Sequence, residues 1–196
     1  SLSPTTAGTG SEVGRASLIV DEDRRMKKII FHPRMLPSIV ILDPELTVGL
    51  PSHLTAATGM DALSHNLEAF CSPSYHPMAA GIASAGIRQV NQYSPRAFAD
   101  GGDIEARADM LCAAAMGATA FQKGLGGVHA LAHPIGAHFG VHHGLANAIF
   151  LPYVMAANRA AIGDKIMPLT RLLDLPQAGF DGLLSWVLDF RARLGI

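Results

Sequence analysis

Charge is scarce in this chain. Asp, Glu, Lys and Arg make up 16% of its 196 residues and leave a formal net charge of −1. Such a balance offers no basic footprint for nucleic acid or for an acidic membrane surface, and neither is expected as a partner. Cysteine is scarcer still. Cys71 and Cys112, with no CxxC, argue against a disulfide framework or a zinc ribbon. Both sit among apolar neighbours and are expected to be inert core thiols, compatible with a reducing cytosol. No stretch of about 18 uncharged apolar residues runs without His, Asn or Pro, so no membrane span is expected. The opening Ser1–Ser11 is polar and rich in Gly and Thr, unlike a signal peptide, which points to a cytoplasmic protein. What the chain does have is apolar mass. At 49% hydrophobic it can build a sizeable core as one or two domains.

Periodicity divides the chain in two. Residues 1–48 look β-rich, with short apolar runs at Arg15–Val20, Ile29–Phe31 and Ser38–Leu42 and a solvated DEDRRMKK loop between the first two. From Pro51 onward the pattern is helical. Ser52 is placed to cap a first helix, followed by Asp61–Phe70 and Met78–Val90. Asp103 is placed to cap Ile104–Phe121, whose Ala, Met and Leu are strong helix formers. Further helices are expected at Gly127–Ala132, Leu145–Arg159, Ile166–Leu173 and Phe180–Leu194, punctuated by Gly101–Gly102, Gly140 and Pro176. No internal repeat is evident.

Four side chains carry the chemistry. Asp61 and His65, in GMDALSH, are four residues apart, so on a helix they share one face and can grip one ion. His129 and His143 lie further on, separated by a short Gly-interrupted stretch. Three neutral imidazoles and one carboxylate leave a divalent ion with a net charge near +1 and room for another ligand, as in a catalytic site. Spacing alone leaves the alternatives open: Asp61 as a charge favoured by a helix dipole, His65 as a hydrogen-bonded core residue. His133 falls one turn after His129 and faces the same cavity. His138 lies nine residues past His129, on a helix that Pro134, Gly136 and Gly140 are expected to break, and His142 faces away from its neighbour. Both are left out of the ligand set.

Several blocks in order resemble the iron-containing (group III) alcohol dehydrogenase family. They are TTAGTGSEV at Thr5–Val13, ILDPELTVGLP at Ile41–Pro51, TGMDALSHNLEAF at Thr58–Phe70, GLGGVHALAHPIGA at Gly124–Ala137 and HHGLANAIFLPYVM at His142–Met155. The resemblance implies a mainly α, dehydroquinate synthase-like protein. In it, residues 1–48 are the β-rich tail of an α/β dinucleotide-binding domain, and residues 49–196 form an all-helical metal-binding domain. It implies Fe2+ (or Zn2+) held by Asp61, His65, His129 and His143, and NAD or NADP as hydride carrier. It places His133 near substrate and nicotinamide, as a proton relay or an orienting group. Thr5, Thr6, Thr9 and Ser11 would line the nicotinamide half of the dinucleotide, Lys27 would reach its ribose, and Leu18 and Leu54 would supply apolar contacts. Without the resemblance, Thr9-x-x-Glu12 reads as an ordinary capping box and Lys27 as part of a solvated charge run. Asn147 is a candidate for bracing a ligand, while Phe121 and Lys123 flank the Gly124–Gly126 turn where a substrate pocket could form.

Relatives of this family carry an upstream half with a Gly-Gly-Gly-Ser turn that cradles the pyrophosphate. No such turn occurs here, so the chain is expected to be an internal piece of a longer enzyme. The expected activity is metal-dependent hydride transfer between a nicotinamide and a small alcohol or aldehyde, by a possible homo-oligomer. Two other readings compete. One is a metal-dependent hydrolase, for which only Glu68 and Asp61 lie close in sequence as a base. The other is a catalytically incomplete helical fragment that only binds metal or partner chains.

Overall fold

The computed structural model describes residues 1–24 and 26–196. Its regular N-terminal structure is one antiparallel hairpin, β1 (Ala16–Asp21) and β2 (Met26–Phe31), in register from Ala16 opposite Phe31 to Asp21 opposite Met26. Strand β2 begins earlier than expected and takes Met26–Lys28 out of the predicted loop. Asp21 secures the turn by accepting the Arg24 N–H at 3.1 Å and pairing with Lys28. The expected strand at Ser38–Leu42 does not form. Val40 makes a single parallel bridge with Leu2, because Pro37 precedes the run and Asp43 caps a 3-10 turn, Pro44–Thr47, directly after it. The capping box at Thr9–Glu12 is also absent. Gly10, in the left-handed region at φ 63°, leads a 3-10 turn at Ser11–Val13 with no side-chain cap, and Glu12 is buried.

The rest is helical: α1 (Ser52–Cys71), α2 (Pro77–Ala99), α3 (Ile104–Ala120), α4 (Gly127–Phe139), α5 (His143–Ala157), α6 (Arg159–Ile162), α7 (Met167–Leu172) and α8 (Gly179–Arg193). The two helices predicted between Ser52 and Phe70 are one. Ser52 does not cap it; Pro51 occupies that place, its carbonyl accepting from the N–H groups of Leu54 and Thr55. Asp103 does cap α3, accepting the Ala106 N–H at 3.0 Å. Helix α4 runs through Pro134 and Gly136 rather than breaking there, at the cost of the one helical hydrogen bond that Pro134 cannot donate. It ends at Gly140, whose left-handed φ of 67° turns the chain toward α5. Cys71 is half-buried, as a core thiol would be, but Cys112 is exposed on α3.

Helix α1 is the axis of the fold. From Thr55 to Ala69 nearly every residue is buried, the signature of a helix packed on all sides. Helices α2 and α3 cover it on one side and α5 on another, with α8 packed on α5. Met60, Leu63, Ile87, Leu111, Leu151 and Phe190 fill the spaces between them and are fully buried. Each such side chain contributes about 1.5–3 kcal/mol by leaving water. Buried polar groups on α1 need partners, and most have them. Ser64 donates to the Met60 carbonyl, and Asn66 bridges the carbonyls of Ala62 and Ala113.

Candidate metal centre

Three helices bring the ligand-type side chains together. Helix α1 presents Asp61, His65 and Glu68 on successive turns of one stripe. Helix α4 presents His129 and His133, and α5 presents His143 and Asn147, each pair one turn apart. The chain enters α5 at His143, two residues earlier than predicted. At Gly144 a Cβ would collide with the Ala57 carbonyl, so a bare backbone lets α5 settle directly on α1 beside Asp61.

Asp61 Oδ1 is the point of convergence. It lies 3.6 Å from His65 Nδ1, 3.7 Å from His129 Nε2 and 3.7 Å from His143 Nε2. Those separations are too long for hydrogen bonds. They are close to the ~3.4 Å edge of a tetrahedron built on metal–nitrogen distances near 2.0–2.1 Å. Asp61, His65 and His129 form the tight group, all buried, with one ligand atom each within 4.8 Å of the others. His143 stands at the rim, its side chain a quarter exposed. His65 Nδ1 is buried with no hydrogen-bond partner. A hard carboxylate, borderline imidazoles and an unpartnered buried nitrogen suit a divalent first-row ion.

Braces surround the group. Asn147 donates from Nδ2 to Asp61 Oδ1 at 2.7 Å, and the same nitrogen lies 3.1 Å from His129 Nε2 and 3.2 Å from His143 Nε2. Thr9 Oγ1 donates to Asp61 Oδ2 at 3.4 Å, tying the N-terminal Gly/Thr turn to α1. Glu68 spans to α4, with Oε2 2.6 Å from His129 Nδ1 and Oε1 accepting the Val128 N–H at 2.7 Å. Sequence reasoning weighed Glu68 only as a base for a hydrolase. Its position three residues after His65 and seven after Asp61, on the same stripe, was the available signal.

Electrostatics sort the donors. Burial opposes ionisation of Asp61, but the surrounding imidazoles outweigh it and hold the carboxyl well below the usual range. Burial pushes both His65 and His143 down to about 4, so both are neutral at pH 7. For His129 burial acts in the same direction, yet the Asp61 and Glu68 carboxylates prevail and raise it to about 9. His133 is lowered, first by burial and then by His129 and Lys27.

The remaining predicted residues are distributed unevenly. His133 joins the cluster, its ring centroid 6.1 Å from that of His129 and 5.2 Å from that of His143. Phe121 stacks on His65 at 5.1 Å. Lys123, its pKa lowered first by burial and then by nearby Lys165, makes no side-chain hydrogen bond or ion pair with the cluster among the described residues. Lys27, in β2 opposite Val20, puts its ammonium beside Gly136 of α4. Thr5, Thr6 and Ser11 are exposed and make no side-chain hydrogen bond among the described residues, and Leu18 is exposed on β1. Leu54 lines a separate groove with His53, Phe98, His142 and Leu145. His138 lies half a turn from His129 on the unbroken α4, outside the cluster.

An all-helical body carrying a buried aspartate–histidine cluster, preceded by a Gly/Thr turn and a hairpin, is an architecture suited to holding a metal ion. Comparison with known proteins makes the assignment specific. Residues 55–195 match the model described as Fe-containing alcohol dehydrogenase family, C-terminal, and residues 2–44 match the model for iron-containing alcohol dehydrogenase. The chain belongs to the iron-containing alcohol dehydrogenase family. It is 45% identical to 4-hydroxybutyrate dehydrogenase of Cupriavidus necator, over 98% of this chain and 52% of that protein. It is 40% identical to NAD-dependent methanol dehydrogenase of Bacillus methanolicus, over 86% of this chain and 45% of that one. Among solved structures, 1,3-propanediol oxidoreductase superimposes with a TM-score of 0.93 at 35% identity, covering 99% of this chain and 53% of its own. Sulfoacetaldehyde reductase from Bifidobacterium kashiwanohense, in complex with NAD+, gives a TM-score of 0.90 at 32% identity, over 99% and 51%. The chain thus spans about half the length of the relatives it matches. Among the described residues, no helix is long and apolar enough to cross a membrane.

Proposed function

We propose that this chain supplies the metal-binding half of a cytoplasmic enzyme that interconverts a small alcohol and its aldehyde using NAD or NADP. The observation that carries the reading is the convergence of His65, His129 and His143 on one oxygen of Asp61. These four residues would hold the ion, and residues 49–196 would form the domain around it. Iron(II) is what the family name suggests, while affinity order at an imidazole-rich site would favour zinc over iron. Bound there, the ion would supply a Lewis acid to the alcohol or aldehyde oxygen, with a nicotinamide as hydride carrier.

The protein's own groups do the rest. Asn147 and Thr9 hold the two oxygens of Asp61 in orientation. His133, half-buried beside His143, orients the substrate hydroxyl and moves its proton at the mouth of the site. Phe121 presents an apolar wall against His65. Residues 1–48 contribute to the cofactor side, with Thr5, Thr6, Thr9 and Ser11 in the turn, Lys27 toward the ribose, and Leu18 and Leu54 as apolar contacts. The NAD+ complex of the sulfoacetaldehyde reductase supports a nicotinamide there, and NAD-dependent methanol dehydrogenase supports NAD over NADP. The relatives compared are dehydrogenases and reductases and lend nothing to a hydrolase reading. A homo-oligomer remains part of the proposal. The test is NADH- and NADPH-dependent reduction of short aldehydes by the full-length protein, before and after metal stripping. Full activity in the stripped enzyme would overturn the Lewis-acid role.

A further inference from the structure

Glu68 is a carboxylate with almost no water, its side chain only 7% exposed. It does not face the convergence point on Asp61. Its two oxygens are used elsewhere, Oε2 at 2.6 Å from His129 Nδ1 and Oε1 receiving the Val128 N–H at 2.7 Å. Gly126, at the start of α4, leaves room for it, since a Cβ there would lie 2.8 Å from Oε1. One residue of α1 thereby holds both the first turn of α4 and the imidazole that α4 carries toward Asp61.

We propose that Glu68 is a positioning residue that fixes the tautomer of His129 and so sets the metal affinity of the site. The inference rests on the metal centre proposed above and assigns a residue beyond it. The reason is the direction of the protons. A carboxylate accepts only, so His129 must carry a proton on Nδ1, and Nε2, the nitrogen aimed at Asp61, is the one left to give up its proton and offer its lone pair to an ion. Oε1 is already committed to a backbone N–H, so Glu68 cannot swing away without orphaning a buried donor at the α4 N-terminus. An amide cannot replace it. Placed with its oxygen on Val128, Gln would turn its NH2 to His129 Nδ1 and drive the imidazole proton onto Nε2, where it blocks the ion. Placed the other way, it would set two donors face to face at Val128.

Glu68→Gln is therefore the informative variant, because it keeps the volume and changes only the hydrogen-bond direction. Zinc affinity would be measured by chelator competition on wild type, Glu68→Gln, Glu68→Ala and Asp61→Asn, alongside the melting temperature of each metal-free protein. The expected result is a roughly 10–100-fold weaker zinc affinity for Glu68→Gln. A deshielded, slowly exchanging Nδ1 proton of His129 should also appear in proton NMR of the zinc-loaded wild type. Zinc affinity for Glu68→Gln within twofold of wild type would overturn the proposal, even if its melting temperature falls. If Glu68→Gln fails to fold, the NMR experiment still decides. Absence of a proton on His129 Nδ1 in the zinc-loaded wild type would overturn the role without any variant. Failure of wild type itself to bind zinc would instead remove the metal centre, a different outcome from tight binding that ignores Glu68.

Discussion

The helical body and the N-terminal hairpin are built by opposite rules. In α1 the side chains from Thr55 to Ala69 are almost all buried, and Asn66, Glu68 and Asp61 among them are gripped from α3, α4 and α5. In β1 and β2 the apolar residues Leu18, Ile19, Val20, Ile29, Ile30 and Phe31 are all exposed, and among the described residues the two strands pair only with each other. The proposed metal donors are thus held by packing within this chain, whereas of the proposed cofactor-side residues Thr5, Thr6, Ser11 and Leu18 are exposed. A site of the first kind tolerates little change anywhere around it, whereas one of the second kind is sensitive only at the residues that touch a ligand.

The sharpest break of that contrast is a ligand against a hairpin residue. In the full-length protein, His65→Ala should reduce aldehyde turnover to the limit of detection while circular dichroism stays unchanged. Leu18→Ala should alter mainly KM for the nicotinamide. Equal losses in kcat for the two would erase the distinction. Stability should divide the same way. Leu63→Ala, fully buried on α1, is expected to cost about 2–5 kcal/mol in denaturant unfolding. In this 196-residue chain, where Ile30 is exposed, Ile30→Ala should stay within about 0.5 kcal/mol of wild type.

Proton release sharpens the comparison inside the site itself. His65 and His143, near 4, are already neutral at pH 6, but His129, raised to about 9, carries a proton that an incoming ion must displace. Zinc affinity should therefore climb about tenfold per pH unit from pH 6 toward 9 and level off above it, with close to one proton released per ion. Calorimetry in buffers of different ionisation enthalpy counts that proton. A flat profile would mean that His129 is neutral throughout. The smallest expected effect belongs to the one hydroxyl linking the two regions. Thr9→Val should weaken zinc binding less than tenfold, since its hydrogen bond to the Asp61 carboxylate is, at 3.4 Å, too long to reach the roughly 1.5–3 kcal/mol of a good bond to a charged group.

Much of the site was legible because it rests on local spacing. Asp61 and His65 share a helix face by periodicity alone, and His133 follows His129 by one turn. What escaped was tertiary. The order in which α1, α4 and α5 pack decides that Glu68 meets His129, and no local pattern encodes that meeting. The strand expected at Ser38–Leu42 failed because Pro37 and the turn capped by Asp43 bracket the run, leaving Val40 a single bridge to Leu2 among the described residues. Helix α4 was misjudged because Pro134 and Gly136 weaken a helix intrinsically, and tertiary context overrides such preferences.

The long excursion through α2 and α3 has a consequence in time. Only Asp61 and His65 are neighbours along the chain. Glu68 meets His129 across 61 residues, and Asp61 meets Asn147 across 86. Contacts so distant in sequence form late, after the intervening loop entropy has been spent on α2 and α3. Asp61 and His129 come together only where α1 meets α4, so the full donor set is expected to assemble with the docking of those helices, later than any local pair.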